Sequence, residues 1–292
     1  MELAVLSGKG GTGKTSVSAS FADFSDNVVV VDSDVDAANL YIVLQPHDYK
    51  EEVYVAGHLA VINYDTCTQC GVCESYCRFN AIHTIDGVVA IDDVACDGCM
   101  LCSRVCPQNA ITMVPSDKSR WYAGTINSGN MVHARLAPGE ENSGKLVQHI
   151  RDYAKQLSQK VESSLTLIDG PPGTGCPVIS AITGVDKILI VTEPSKSAFH
   201  DLIRAWELAK HFNIPAYVLI NKHDLNLSIS EEIEQWCSEK SVQLVAKIPF
   251  NEDVVHAMIS CQSVVLYKPD SEITKLLYEA YKQIVYNDNH IM

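Results

Sequence analysis

The stretch "LSGKGGTGKT", residues 6–15, follows the apolar run at 3–6 and precedes a segment with apolar residues at helical spacing, Val17, Phe21 and Phe24. Within it "GKGGTGKT", residues 8–15, satisfies G-x-x-x-x-G-K-[ST] in the strand–loop–helix setting that this motif requires. The glycines let backbone N–H groups converge on phosphate oxygens, and the helix N-terminus adds its partial positive charge. Lys14 then reaches the β- and γ-phosphates, and Thr15 offers its hydroxyl to magnesium. Gly10, Gly11, Thr12, Gly13, Lys14, Thr15 and Ser16 are the expected nucleotide-binding residues; a turn that is merely glycine-rich is the blander reading. One lysine suffices for such a loop, yet this one carries two, Lys9 and Lys14.

Outward from the loop, short β-branched runs repeat: "NVVVVD" at 27–32, "LTLIDG" at 165–170, "KILIVTE" at 187–193, "AYVLINK" at 216–222 and "QLVAKIPF" at 243–250. Such continuous apolar runs suit strands buried on both faces of a parallel sheet. Helical patterns lie between them, at 145–160, 198–211, 229–238 and 270–286. The alternation predicts an α/β fold, a mostly parallel twisted sheet flanked by helices, with ligands at the carboxyl edge of the strands. Asp169 ends one strand beside that edge and reads as the magnesium-supporting acid. Asp32, Asp34 and Asp36 follow another; a solvated turn is the alternative for these three. A second G-x-x-x-x-G-K, at 139–145, is followed by Leu146 rather than Ser or Thr and is rejected as a phosphate site.

Eleven cysteines stand in the 292 residues, and eight of them lie between 67 and 106. "CTQCGVCESYC" at 67–77 and "CDGCMLCSRVC" at 96–106 share the spacing C-x2-C-x2-C-x3-C, the second followed by Pro107 and the first by Arg78. This is the pattern of bacterial two-cluster ferredoxins, in which the fourth cysteine of each run serves the other run's cluster. One [4Fe-4S] cluster is then expected on Cys67, Cys70, Cys73 and Cys106, the other on Cys96, Cys99, Cys102 and Cys77. Zinc is the competing reading, although zinc sites space their cysteine pairs further apart. The block, an α+β ferredoxin-like domain at 58–115, interrupts a nucleotide domain formed by 1–57 and 116–292, so its ends are expected to return to adjacent points.

Apolar residues make up 47% and charged residues 20%, an ordinary globular balance. A net charge of -14 disfavours binding to nucleic acid through its phosphates. The chain opens directly on an apolar strand, no run is long enough to cross a bilayer, and the cysteines suit metal rather than disulfides, so a cytoplasmic protein without membrane attachment is expected. The last helical pattern gathers Ile273, Leu276, Leu277, Ala280, Tyr281 and Ile284 on one face, opposite acids and lysines of both signs, which favours core packing over a membrane-surface helix.

Through "KGGTGKT", "VDSDVDAANL" at 31–40, "DGPPGTG" at 169–175, "INK" at 220–222 and "IPFNEDVVHAM" at 248–258, nearly the whole chain resembles the MinD/Mrp/ParA class of P-loop ATPases, in its branch with an inserted two-cluster ferredoxin domain. The resemblance implies that Lys9 reaches across a nucleotide-sandwich homodimer to the partner's phosphates. It implies that Asp34 positions the attacking water, that Asp32 joins Thr15 and Asp169 around Mg2+, and that Asn221 reads the adenine edge while Pro249 and the residues up to Glu252 close over the base. "DGPPGTG" becomes a γ-phosphate switch. Cys176, at its end, is either a redox-active residue of that switch or an ordinary small residue before Pro177. The function so implied is an ATP- and ADP-binding, Mg2+-dependent ATPase that couples dimer switching to electron transfer toward a redox or metallocofactor partner protein. Iron-sulfur assembly is the alternative, and spatial positioning a more distant one.

Overall fold

The six expected parallel strands all form, and sequence reading missed a seventh. The structure is a computed structural model that describes residues 1–55, 57–140 and 143–286. Its strands are β1 (Glu2–Leu6), β2 (Val28–Asp32), β3 (His47–Tyr54), β4 (His58–Ile62), β5 (Ile82–Ile85), β6 (Val88–Ile91), β7 (Ile111–Pro115), β8 (Ser119–Ile126), β9 (Gly129–Arg135), β10 (Thr166–Asp169), β11 (Lys187–Thr192), β12 (Ala216–Asn221) and β13 (Gln243–Ile248). Nine of them make one sheet in the order β13-β12-β11-β1-β10-β2-β9-β8-β3. Neighbours from β13 to β9 run parallel, whereas β8 pairs antiparallel with both β9 and β3.

The valine run of β2 shows why continuous apolar strands are needed. Val29 and Val31 face one core, against helices Ser143–Lys160 and Lys196–His211; Val28 and Val30 face a second, against Lys14–Asp23 and Glu272–Val285. All four are fully buried. On the last helix Ile273, Leu277, Ala280, Tyr281 and Ile284 are buried in that second core, as the sign-mixed opposite face predicts. No helix among the described residues is long and apolar enough to cross a membrane.

Residues 58–115 stand outside the large sheet. Their elements run strand, helix, strand, twice over: β4, Val72–Tyr76, β5, then β6, Leu101–Val105, β7. β4 pairs antiparallel with β7 and β5 with β6, and the first register pair, His58 with Pro115, brings the two ends of the block together. Ala56, just before it, lies outside the described residues, as do Glu141 and Asn142 of the rejected 139–145 motif. Lys145 of that motif sits in the first turn of helix Ser143–Lys160, not in a loop.

Candidate functional site

Parallel register sets the two buried carboxylates side by side, with Asp169 the Cα partner of both Asp32 and Val5. Lys14 opens the helix that follows β1, and its Nζ lies 2.9 Å from Asp169 Oδ1, with both side chains buried. Thr15 Oγ1 donates to Asp169 Oδ2 at 3.1 Å, and Ser18 Oγ to Asp169 Oδ1 at 2.6 Å. Asp32 accepts from the backbone amides of Asp34, Asn39 and Leu40 at 3.1, 3.1 and 3.0 Å. Burial first, and then the charge of Asp169, raises the Asp32 carboxyl well above the usual carboxylate range, against the pull of Lys14 and of the Leu40 and Asp34 amides. Asp34 is half-buried and shifted the same way by burial, with Lys14 opposing. One ammonium therefore serves a cluster of carboxylates, an arrangement that a divalent cation completes.

The loop itself is shaped for an anion. Gly11 and Gly13 hold φ of 86° and 94°, a region that favours glycine, and a Cβ on Gly13 would stand 2.2 Å from Asn221 Nδ2. A Cβ on Gly10 or Gly11 would meet nothing within 4 Å, so the space over the loop is open. Thr12 Oγ1 is buried with no hydrogen-bond partner among the described residues, the kind of orphaned polar atom that a bound ligand satisfies.

Lys9 does not point away from its own chain. Its Nζ lies 2.8 Å from Glu193 Oε1, 3.2 Å from Ser195 Oγ and 3.3 Å from Ser197 Oγ. Lys222 Nζ meets the other Glu193 oxygen at 3.2 Å and donates to the Gly11 carbonyl at 3.0 Å. Partial burial resists the ionisation of Glu193, but the Lys9 and Lys222 ammoniums outweigh it and hold the carboxyl below its ordinary range. Asn221 donates from Nδ2 to the Thr12 carbonyl at 2.9 Å, and Pro249 follows β13 on the same sheet edge, next to an exposed Phe250. Ser16 lies in the first turn of the loop's helix, its carbonyl accepting from Ser20 Oγ at 2.8 Å. Cys176 is exposed at the start of helix Cys176–Ile182. Sequence reading passed over Glu193, Ser195, Ser197, Lys222 and Ser18. The signal available for the first three was position: β11 flanks β1, so whatever follows β11 faces the phosphate loop.

In the block at 58–115 the eight cysteines fall into two groups. Cys67, Cys70, Cys73 and Cys106 line one cavity and Cys77, Cys96, Cys99 and Cys102 another, each otherwise walled largely by apolar groups. The two copies match in detail: the amide four residues past the last cysteine of each run donates to its sulfur, Ala81 N to Cys77 Sγ and Ala110 N to Cys106 Sγ, both at 3.3 Å. Among the described residues no three His, Cys, Asp or Glu side chains converge closely enough to hold a single metal ion. A zinc ion needs its sulfurs at ~2.3 Å from one point. Four cysteines around one cavity supply a thiolate set of the kind that iron–sulfur groups take.

Residues 3–264 match the family model described as the CobQ/CobB/MinD/ParA nucleotide binding domain, and the chain belongs to that family. It is 33% identical over 287 residues to the uncharacterized protein MJ0578 of Methanocaldococcus jannaschii, covering 97% of this chain and 96% of that one. The septum site-determining protein MinD of Pyrococcus horikoshii, solved with Mg-ADP, shares the fold at a TM-score of 0.58 and 17% identity, over 97% of this chain and 95% of that one. A component of the F420H2 dehydrogenase of Methanosarcina mazei is 35% identical over 178 residues, 49% of this chain and 50% of its own.

Proposed function

We propose that this chain hydrolyses ATP with Mg2+ at the phosphate loop, as a nucleotide-sandwich homodimer, and that the dimer's switching governs electron transfer through two [4Fe-4S] clusters in a ferredoxin-like insert at 58–115. The observation that carries the reading is the grouping of the cysteines: each crossed set of four lines its own cavity. Bound there, a [4Fe-4S] cluster stores and releases single electrons at a potential set by the hydrogen bonds and burial around its sulfurs. The amides of Ala81 and Ala110 supply such bonds to Cys77 and Cys106. The redox reading draws further support from likeness to a protein named as part of a dehydrogenase.

At the nucleotide, the chain's own groups divide the work. Lys14 meets the phosphate oxygens, and Thr15, Asp32 and Asp169 would hold a magnesium ion, whose two positive charges would offset the burial and neighbouring charge that raise the Asp32 carboxyl. Asp34 orients the attacking water. Lys9 leaves Glu193 and crosses to the partner's phosphates; a cation supplied in trans can be worth ~10³–10⁵ in rate. Asn221 and the segment from Pro249 to Glu252 form the base site. The turn at 137–140 lies against the insert, where a Cβ on Gly139 would stand 2.0 Å from the Val94 carbonyl, and this close seam favours mechanical coupling between nucleotide and insert.

The test is anaerobic purification with iron analysis, followed by reduction and timed reoxidation by an artificial acceptor. About eight irons per chain are expected, with reoxidation several-fold faster in Mg-ATP than in Mg-ADP. Zinc without visible absorption would overturn the cluster assignment. Reoxidation indifferent to nucleotide, together with transfer of iron to an apo-acceptor, would replace electron delivery by cluster assembly.

A further inference from the structure

A second concave site lies on the antiparallel side of the sheet. It is an open cleft between residues 35–38, just past Asp34, and Lys118, Arg120, Tyr122 and Arg135. Its construction goes against ordinary sheet chemistry. In the β8/β9 ladder Arg120 is the direct cross-strand partner of Arg135, and Tyr122 of His133. Like charges facing each other across a ladder are destabilising.

The surroundings relieve that repulsion only in part. Arg120 has Glu51 at 3.5 Å, but Glu51 is more than half exposed, so the pair is a weak one. Arg120 also donates to the carbonyls of Asp117 and Ser119. Lys118 pairs with Asp93 of the insert at 3.0 Å. The Arg135 guanidinium carbon lies over the Tyr41 ring, 6.0 Å from its centroid. Asp36 is the only acid among the described residues lining the cleft, and it is exposed. A near-parallel stack of Tyr41, His133 and Tyr122, at 5.0 and 4.8 Å between centroids, stiffens the wall. Burial and the neighbouring Arg135 push the His133 imidazole down to about 4, so near neutral pH the wall adds no third charge to the arginines.

On a chain of net charge -14, a concave patch lined by three cations and one acid stands out, with Glu51 and Asp93 meeting two of the cations from outside the lining. Two arginines paired directly across a ladder can both turn a planar guanidinium, whose geometry matches oxyanions, toward one ligand. We propose that this cleft binds a small organic anion carrying two or more carboxylate or phosphate groups, held between the Arg120–Arg135 pair and the loop at 35–38. The site lies on the nucleotide machinery without being part of it. The Leu136 amide donates to the Val35 carbonyl at 2.9 Å, tying the end of β9 to the loop that carries Asp34, so an anion that tightens the cleft bears on that loop. The proposal stands whether or not 58–115 holds iron.

Calorimetric titration of the anaerobically purified full chain, saturated with Mg-ADP so that the phosphate loop is filled, tests it. The probes are tricarballylate for a polycarboxylate and 2,3-bisphosphoglycerate for a polyphosphorylated anion. At least one is expected to bind with a submillimolar Kd, and the tighter of the two identifies the chemistry. Arg120→Gln and Arg135→Gln should each weaken that binding about tenfold or more, as for lost hydrogen bonds to a charged group, while Lys210→Gln, on a distant helix, leaves it unchanged. A merely structural role for the pair predicts a different thermal profile. Under the proposal Arg135→Gln melts no lower than the parent without anion and loses the rise in melting temperature that the anion causes. Silence with both probes overturns the site, as does an affinity indifferent to both arginine variants or an equal loss in the Lys210 variant.

Discussion

At Asp169 three side chains, Lys14, Thr15 and Ser18, converge on one fully buried carboxylate whose sheet neighbour is another, Asp32. Removing one partner of a buried pair leaves an uncompensated charge, so Lys14→Ala should lower the stability of the nucleotide-free protein by about 3–5 kcal/mol in urea unfolding, far beyond a surface lysine's effect. Asp32 titrates in the opposite sense to a salt-bridged acid. Its folded value is raised from 3.8 to about 7, so the folded chain binds a proton that the unfolded chain releases, and metal-free stability falls as pH rises through that window. Asp32→Asn should flatten this fall; a parent curve equally steep in the variant would assign it to other groups. That Thr15 and Lys14 stand beside Asp169 was legible from motif and position, since the loop and the strand end fix where they sit. Glu193 was not, since its role depends on β11 lying beside β1, a fact of sheet order that no local pattern carries.

Among the elements, six of the seven parallel strands announced themselves as uninterrupted apolar runs, while the seventh, β9, and the antiparallel β8 did not. β8 alternates, with Ser119, Trp121 and Ala123 buried and Arg120, Tyr122 and Gly124 partly exposed, the mark of a sheet face that meets solvent. Its polar half hides the strand among turn-like residues. β3 was obscured for the same reason, by charged residues at 50–52 on the sheet's edge, where charge discourages unwanted pairing. In the block at 58–115, spacing alone separated the cysteines into crossed sets, and the cavities group them alike. Cys106→Ser and Cys67→Ser should therefore each perturb the same paramagnetic centre, and Cys77→Ser the centre disturbed by Cys96→Ser. Electron paramagnetic resonance of reduced samples reads this directly, and a Cys106 variant grouping with Cys96 would refute the crossing.

For the molecule as a whole, the engagement of Lys9 by Glu193, Ser195 and Ser197 within one chain sets a cost on association if the lysine has to cross to a partner. Lys9→Ala should keep nucleotide affinity while losing ATP-dependent dimerisation and turnover, measured by light scattering and phosphate release; full turnover in a monomeric variant would remove the crossing role. Glu193→Gln should favour the dimer about two- to five-fold, the scale of a partly exposed ion pair. The same sheet order that hid Glu193 also governs how the protein is made on the ribosome. β1 at 2–6 finds its neighbours only at 166–169 and 187–192, so at about 5–20 residues per second the first strand waits roughly ten to forty seconds for them. The cysteine block closes its own β4–β7 ladder within 58 residues, well inside that interval. The block can thus close before the first capture of nucleotide, and the valine-rich β2, left without its partners meanwhile, is the segment most in need of a chaperone.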